Sequence, residues 1–263
     1  MTTLRVGILG WGAIGSAVAK RLMAGAVDGA ELTAVASRTP PTDVGVPVVA
    51  PQELAQRCDL VVETAGHDAV REHLPGLLEA GCRVIMVSTG ALRDRELLDA
   101  LTSAGADRLM LSSGAIGGID IVGACLHAGE IRSIRLTTTK PPRVLIQSWM
   151  DDEMTAALTA ASDVVTCFEG SAIDAAERFP ESVNVAATLA LAAWSWDLIH
   201  VTVIGDPAAT GNRHAIDIDA DAGTYRIELA NNALPSNPKS SALVVASVLR
   251  GLEALTTSTR RFA

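Results

Sequence analysis

Gly10, Gly12 and Gly15 stand between an apolar run, residues 4–9, and a run of helical character, residues 16–23. This spacing constrains the fold more than anything else in the chain. In G-x-G-x-x-G between a strand and a helix, the first glycine makes the tight turn and the second leaves the backbone open to a pyrophosphate. The third lets helix and strand pack closely. The helix start then presents free N–H groups and a positive dipole end to the phosphates. The loop Gly10, Trp11, Gly12, Ala13, Ile14 and Gly15 is therefore read as a dinucleotide-binding site.

The pattern that follows alternates strand and helix. Strands are expected at residues 31–37, 59–64, 83–87 and 108–111, with helices at 51–57, 67–80 and 94–104. Repeated βα units imply a doubly wound parallel sheet, the α/β Rossmann arrangement, with ligands beyond the carboxyl ends of its strands. After about residue 112 the pattern changes. A small-residue helix is expected to end near 128, and strands at 131–138, 163–168, 198–205, 213–219 and 224–230. Ser171 is expected to cap a helix with Asp174 three residues on, and Ser182 to open an apolar helix reaching about 193. Clustered strands indicate a second α+β domain with an open, mostly antiparallel sheet. The expected division is residues 1–112 for the dinucleotide domain and 113–237 for substrate binding and dimerisation. A C-terminal helix over 238–263 is expected to return to the first domain.

Composition removes several function classes. The net charge is -9 without a Lys/Arg cluster, which argues against nucleic acid and an anionic membrane surface. The most apolar stretch, residues 183–196, is too short and polar to span a bilayer. Cys58, Cys82, Cys125 and Cys167 lie far apart and read as free thiols of a reducing compartment. The N-terminus runs straight into the first strand with no visible signal peptide, so a soluble cytoplasmic protein is expected.

Three positions invite chemistry. His214 shares a strand face with Ile216 and Ile218, while Asp217 and Asp219 take the other face. A neutral imidazole there can accept a proton, or it is a satisfied core histidine. The acids point away from it, so no metal is expected. Asn237 and Pro238 suit a helix cap and first position, placing Lys239 in the first turn where the dipole disfavours a cation. A bound carboxylate, with Ser240 as a second donor, explains this; so does a surface lysine. Asn184, in the first turn of an apolar helix, can both donate and accept as a nicotinamide carboxamide requires, or it serves local backbone groups. His67 is a weaker candidate for lining the nucleotide cleft; His73, His127 and His200 read as structural or exposed. At the end of the second strand no acidic residue stands to select NAD; Arg38 can pair with a 2′-phosphate to which Ser37 and Thr39 can donate, or it is a solvent-exposed loop arginine. NADP is expected to be accepted, alongside NAD.

The later motifs run in a recognisable order. They are residues 113–120 (SGAIGGID), 139–142 (TKPP), 168–172 (FEGSA), 179–190 (FPESVNVAATLA), 206–207 (DP), 212–214 (NRH) and 237–241 (NPKSS). Together these resemble the L-aspartate dehydrogenase family over nearly the whole chain. The resemblance implies NAD(P)-dependent oxidative deamination of L-aspartate to iminoaspartate, giving oxaloacetate and ammonia or feeding quinolinate for NAD synthesis. It also implies a homodimer. The family's catalytic histidine falls on His214, and its cofactor contacts fall on Ala115 to Gly118 and on Asn184. Two rivals remain open: the same fold acting on another small amino acid or imine, and a non-catalytic NADP-binding sensor.

Overall fold

The computed structural model describes residues 3–39, 44–179 and 184–257, which form two compact units. The first unit comprises the chain up to Gly114 together with the segment from Val244 onward. Its elements are β1 (Leu4–Leu9), α1 (Ala13–Met23), β2 (Ala30–Ala36), α2 (Leu54–Arg57), β3 (Leu60–Glu63), α3 (His67–Glu79), β4 (Arg83–Met86), α4 (Arg95–Gly105) and β5 (Leu109–Leu111). The strands make one parallel sheet in the order β2-β1-β3-β4-β5. An isolated parallel bridge from Val35 to Val48 adds a vestigial strand outside β2. With it, the sequence order across the sheet matches the six-strand Rossmann arrangement, and the crevice where the order reverses lies at β1 and β3. Val6 and Ile8 of β1, Leu60, Val61 and Val62 of β3, and Val84 and Met86 of β4 are buried. Such near-continuous apolar strands follow from a sheet covered on both faces.

The second unit, Ala115–Leu243, carries α5 (Ile119–Ala128), β6 (Ile131–Lys140), α6 (Asp152–Thr159), β7 (Val165–Ser171), α7 (Ala172–Arg178), α8 (Asn184–Ala192), β8 (Ile199–Gly205), β9 (Asn212–Ala220) and β10 (Gly223–Asn231). These strands form a sheet in the order β10-β9-β6-β8-β7, antiparallel except between β6 and β8. A two-strand ladder, β11 (Ala233–Leu234) with β12 (Asn237–Ser241), follows. Period-2 alternation divides the sheet. Ile134, Leu136, Ile216, Ile218, Val201 and Val203 are buried on one face. The other carries exposed charge pairs, Arg132 with Asp219 and Asp221, and Arg226 with Asp217 and Glu228. Ser171 caps α7, its hydroxyl accepting from the Asp174 N–H at 3.1 Å and donating to the Asp174 carboxylate at 2.7 Å. The expected start of the next helix at Ser182 lies outside the described residues.

The last helix, α9 (Ala242–Thr256), starts later than the sequence implies. Residues 237–241, expected as its cap and first turn, are extended instead. The Asn237 carboxamide oxygen accepts from the Lys239 N–H at 3.0 Å, a local turn that competes with a cap. Ser241 performs the capping, its hydroxyl accepting from the Leu243 N–H at 3.1 Å. From Val244 the helix belongs to the first unit, where Val248 and Leu252 are buried. Ser247 donates to the Gly114 carbonyl at 2.7 Å.

Candidate active site

In the first unit, the glycine loop connects β1 to α1. Gly10 has φ +101°, and a Cβ there would lie 2.8 Å from the backbone of Thr64 and Ala65. Both facts restrict the position to glycine. A Cβ on Gly15 would collide with the Gly10 carbonyl oxygen and the Thr64 hydroxyl. Gly12, the residue before α1, has open space where a Cβ would point. The loop is therefore closed on its protein side and open at Gly12, which is the form a pyrophosphate needs. Trp11, Ala13 and Ile14 are half-buried around it. Thr64 fastens the next loop to this one, its hydroxyl lying 3.1 Å from the Gly10 carbonyl oxygen to which it donates.

Glu63, at the carboxyl end of β3, was not evident from the sequence pattern, which ran through it as one more strand residue. It is fully buried. One carboxylate oxygen accepts from the N–H groups of Ala65 and Gly66 at 2.7 and 3.0 Å and from the Ser88 hydroxyl at 2.8 Å. The other accepts from the N–H groups of Ser88 at 3.0 Å and Val87 at 3.3 Å. Burial raises the carboxyl's pKa, while the donors of Ser88, Gly66 and Ala65 oppose that rise. One side chain thus holds together the loops leaving β3 and β4. His67 begins α3, with its Nδ1 3.4 Å from an Arg93 guanidinium nitrogen.

Ser37 and Arg38 follow β2, where an adenosine ribose lies in this fold. The Ser37 hydroxyl donates to the Thr39 carbonyl at 3.1 Å, and Arg38 is exposed. Arg38→Ala is expected to weaken NADP binding by about 1.5–3 kcal/mol, roughly 10- to 150-fold, and NAD binding little, because only NADP offers a charged partner. Titration of both nucleotides by fluorescence or calorimetry checks this; equal losses would remove Arg38 from the ribose site.

In the second unit, alternation carries three polar side chains onto the covered face of the sheet. Thr138 and Lys140 follow Ile134 and Leu136 on β6, and His214 precedes Ile216 on β9. All three are buried, Lys140 to 2% and His214 to 3% exposure. Thr138 and His214 are cross-strand partners, with the Thr138 hydroxyl 3.1 Å from His214 Nδ1. The Lys140 ammonium donates to the Lys239 carbonyl at 3.3 Å, which fixes β12 beside the end of β6. Burial, and secondly the Lys140 charge, take the His214 pKa from 6.5 to about 3, so the imidazole is neutral across the physiological range. Burial, and secondly Lys239, take Lys140 from 10.5 to about 8.

The loop before α5 reaches the same region. Leu229 is the β10 partner of His214, and a Cβ on Gly117 would lie 3.8 Å from its Cδ2. Gly118 packs against Ile227 and has φ +81°, and Asn231 donates to the Ala115 carbonyl at 2.8 Å. The structure thus brings together His214, Lys239 and the Ala115–Gly118 loop, and adds Thr138 and Lys140. Ser240 is half-buried and accepts from the Asn237 carboxamide at 3.3 Å. Asn184 begins α8, its carbonyl accepting from the Thr188 hydroxyl at 3.0 Å. The helix-dipole argument for an anion at Lys239 does not survive, because Lys239 is in a strand; its case now rests on its neighbour Lys140. Lys140 had a signal in the sequence: the alternation of β6 runs one step past Thr138 before Pro141.

The chain is similar to known proteins over nearly its whole length. Residues 120–255 match the family model described as aspartate dehydrogenase, C-terminal, and residues 10–108 match that of the homoserine dehydrogenase NAD-binding domain. The chain is 35% identical over 261 residues to an L-aspartate dehydrogenase of Methanosarcina mazei, covering 95% of this chain and 96% of that one. It is 39% identical over 256 residues to L-aspartate dehydrogenase 2 of Bordetella bronchiseptica, covering 94% and 95%. Among solved structures, the aspartate dehydrogenase of Thermotoga maritima superposes with a TM-score of 0.76 at 26% identity, covering 98% of this chain and 99% of that one.

Proposed function

The chain belongs to the aspartate dehydrogenase family, and from that premise we propose how its residues carry out NAD(P)-dependent oxidation of L-aspartate. The nucleotide supplies a two-electron acceptor when bound. The chain's part is to hold it at Gly10, Trp11, Gly12, Ala13, Ile14 and Gly15, with Ser37 and Arg38 at the ribose and Ala115, Gly118 and Asn184 toward the nicotinamide. The open backbone at Gly12 fits that role. Lys239 and Ser240 serve the substrate's carboxylates. Loss of hydride from the substrate Cα leaves iminoaspartate, and water adds to its imine carbon to yield oxaloacetate and ammonia. His214 takes the proton from that water, with Thr138 holding its Nδ1 side.

The observation that carries this reading is a neutral, buried imidazole close to Lys140, itself beside Lys239, in a chain of this family. A sensor has no use for that combination. Among the described residues no helix is long and apolar enough to cross a membrane. The reading includes a cytoplasmic homodimer, which the family resemblance supports and sedimentation of the purified protein tests. Its central test is nucleotide reduction measured across a panel of L- and D-amino acids. L-aspartate is expected to be the preferred substrate. Turnover of another amino acid in its place, or nucleotide binding without turnover of any, would overturn it.

A further inference from the structure

Oxidation of an amino acid at Cα needs a proton acceptor before the addition of water in which His214 serves. The substrate arrives as an ammonium, whose nitrogen has no lone pair to drive the hydride from Cα, so a proton must leave first.

The chain contains only three lysines, Lys20, Lys140 and Lys239, against eighteen arginines. Two of the three meet at the end of β6, where the Lys140 ammonium donates to the Lys239 carbonyl of β12. Arginine binds anions at least as well, but it does not give up its proton in a protein. A buried lysine beside a second cation is the arrangement that makes a usable amine base. The charged and titratable groups around Lys140 among the described residues are His214 on β9, Lys239 on β12 and Asp206 just past β8. Asp206 donates its backbone N–H to the Lys140 carbonyl, and its carboxylate is paired with Arg213.

Resting on the function proposed above, we propose that Lys140 is a catalytic base, accepting the proton of the substrate's ammonium before hydride transfer, while His214 serves the later addition of water. In this step one N–H bond of the substrate breaks and an Nζ–H bond forms on neutral Lys140. The freed nitrogen lone pair then makes the C=N bond as the Cα–H bond breaks, with both its electrons passing to the oxidised nucleotide. The products are the iminium form of iminoaspartate, the reduced nucleotide and a protonated Lys140. The Lys140 pKa of about 8 suits this exchange.

The test uses the full-length enzyme with K140R, K140M and K140A. K140R keeps the cation and loses the base. It is expected to bind succinate, a dicarboxylate without the amine, within about threefold of wild type, while kcat for L-aspartate falls 100-fold or more. Wild-type kcat is expected to rise with pH through an inflection on the alkaline side of neutrality, and K140R to lack it. Methylamine added to K140A is expected to restore turnover in proportion to the free amine. If K140R does not fold, K140M, which removes a buried charge, reports the same loss of kcat with nucleotide binding kept. A K140R or K140M enzyme with near-normal kcat overturns the proposal. So does a loss confined to KM and succinate affinity without amine rescue, which would make Lys140 a carboxylate contact. Failure of wild type to oxidise L-aspartate at any pH overturns the underlying function instead.

Discussion

His214→Ala is expected to lower kcat for L-aspartate oxidation by about 100- to 10,000-fold, the range for a positioned proton-transfer group, with nucleotide affinity nearly unchanged. The loss should be in kcat because the imidazole assists the addition of water to an imine, a role that ground-state binding does not use. Nucleotide affinity should hold because the glycine loop belongs to the other compact unit. His214→Asn is not expected to rescue, since a carboxamide can hydrogen-bond to Thr138 but is not a useful base. The pH dependence has a definite sign. With its pKa near 3, His214 stays neutral at pH 5–8, so an acid limb near 6.5 in kcat/KM would assign the titration to another group. A histidine that merely fills the core predicts the reverse pattern: lower melting temperature and weaker nucleotide binding, with kcat of the folded fraction retained. Melting temperature, nucleotide Kd and kcat on one preparation separate the two.

Glu63→Gln is expected to be almost as damaging as Glu63→Leu. Both carboxylate oxygens accept, and every group facing them donates. A carboxamide must turn its NH2 toward either the Ala65 and Gly66 N–H groups or those of Val87 and Ser88, so one pair faces a donor. A buried donor left without an acceptor costs about 1–3 kcal/mol. A melting-temperature loss of roughly 2–4 °C for each kcal/mol is expected in a chain of this size. Nucleotide Kd should rise as well, because the freed loops lie at the carboxyl ends of β3 and β4, where this fold binds ligands. Glu63→Asp keeps the charge but shortens the reach, and is expected to fall between. A Glu63→Gln protein with wild-type melting temperature and nucleotide affinity would show that the carboxylate is dispensable.

What could be read from the residues depended on whether the signal was local. The glycine loop is local: turn, open backbone and close approach are all set within six residues. The covered face of β9 was legible for the same reason, since alternation alone puts His214 with Ile216 and Ile218. Asn237-Pro238-Lys239 misled because it offers a cap one turn too early; two side chains four residues apart, Asn237 and Ser241, both satisfy backbone N–H groups, and tertiary pairing of β12 with β11 decides between them. Glu63 and Lys140 were missed because their meaning is non-local. Glu63 is defined by donors 25 residues away in the chain and Lys140 by a carbonyl 99 away.

The return of the chain has a consequence for how the protein is made. The first unit ends at Gly114 and resumes only at Val244. Val248 and Leu252, which belong to its core, and Ser247, which donates to the Gly114 carbonyl, are synthesised only after the whole of the second unit. Domains ordinarily fold from the N-terminus as they emerge from the ribosome. Here the nucleotide-binding unit begins to emerge before the second unit and is completed after it. Until the second unit has been translated, the surface that α9 covers stays open to solvent. During that interval the nascent chain exposes apolar residues beside a parallel sheet, whose non-local pairing is slow. The vulnerable species in biosynthesis is therefore the first unit without α9.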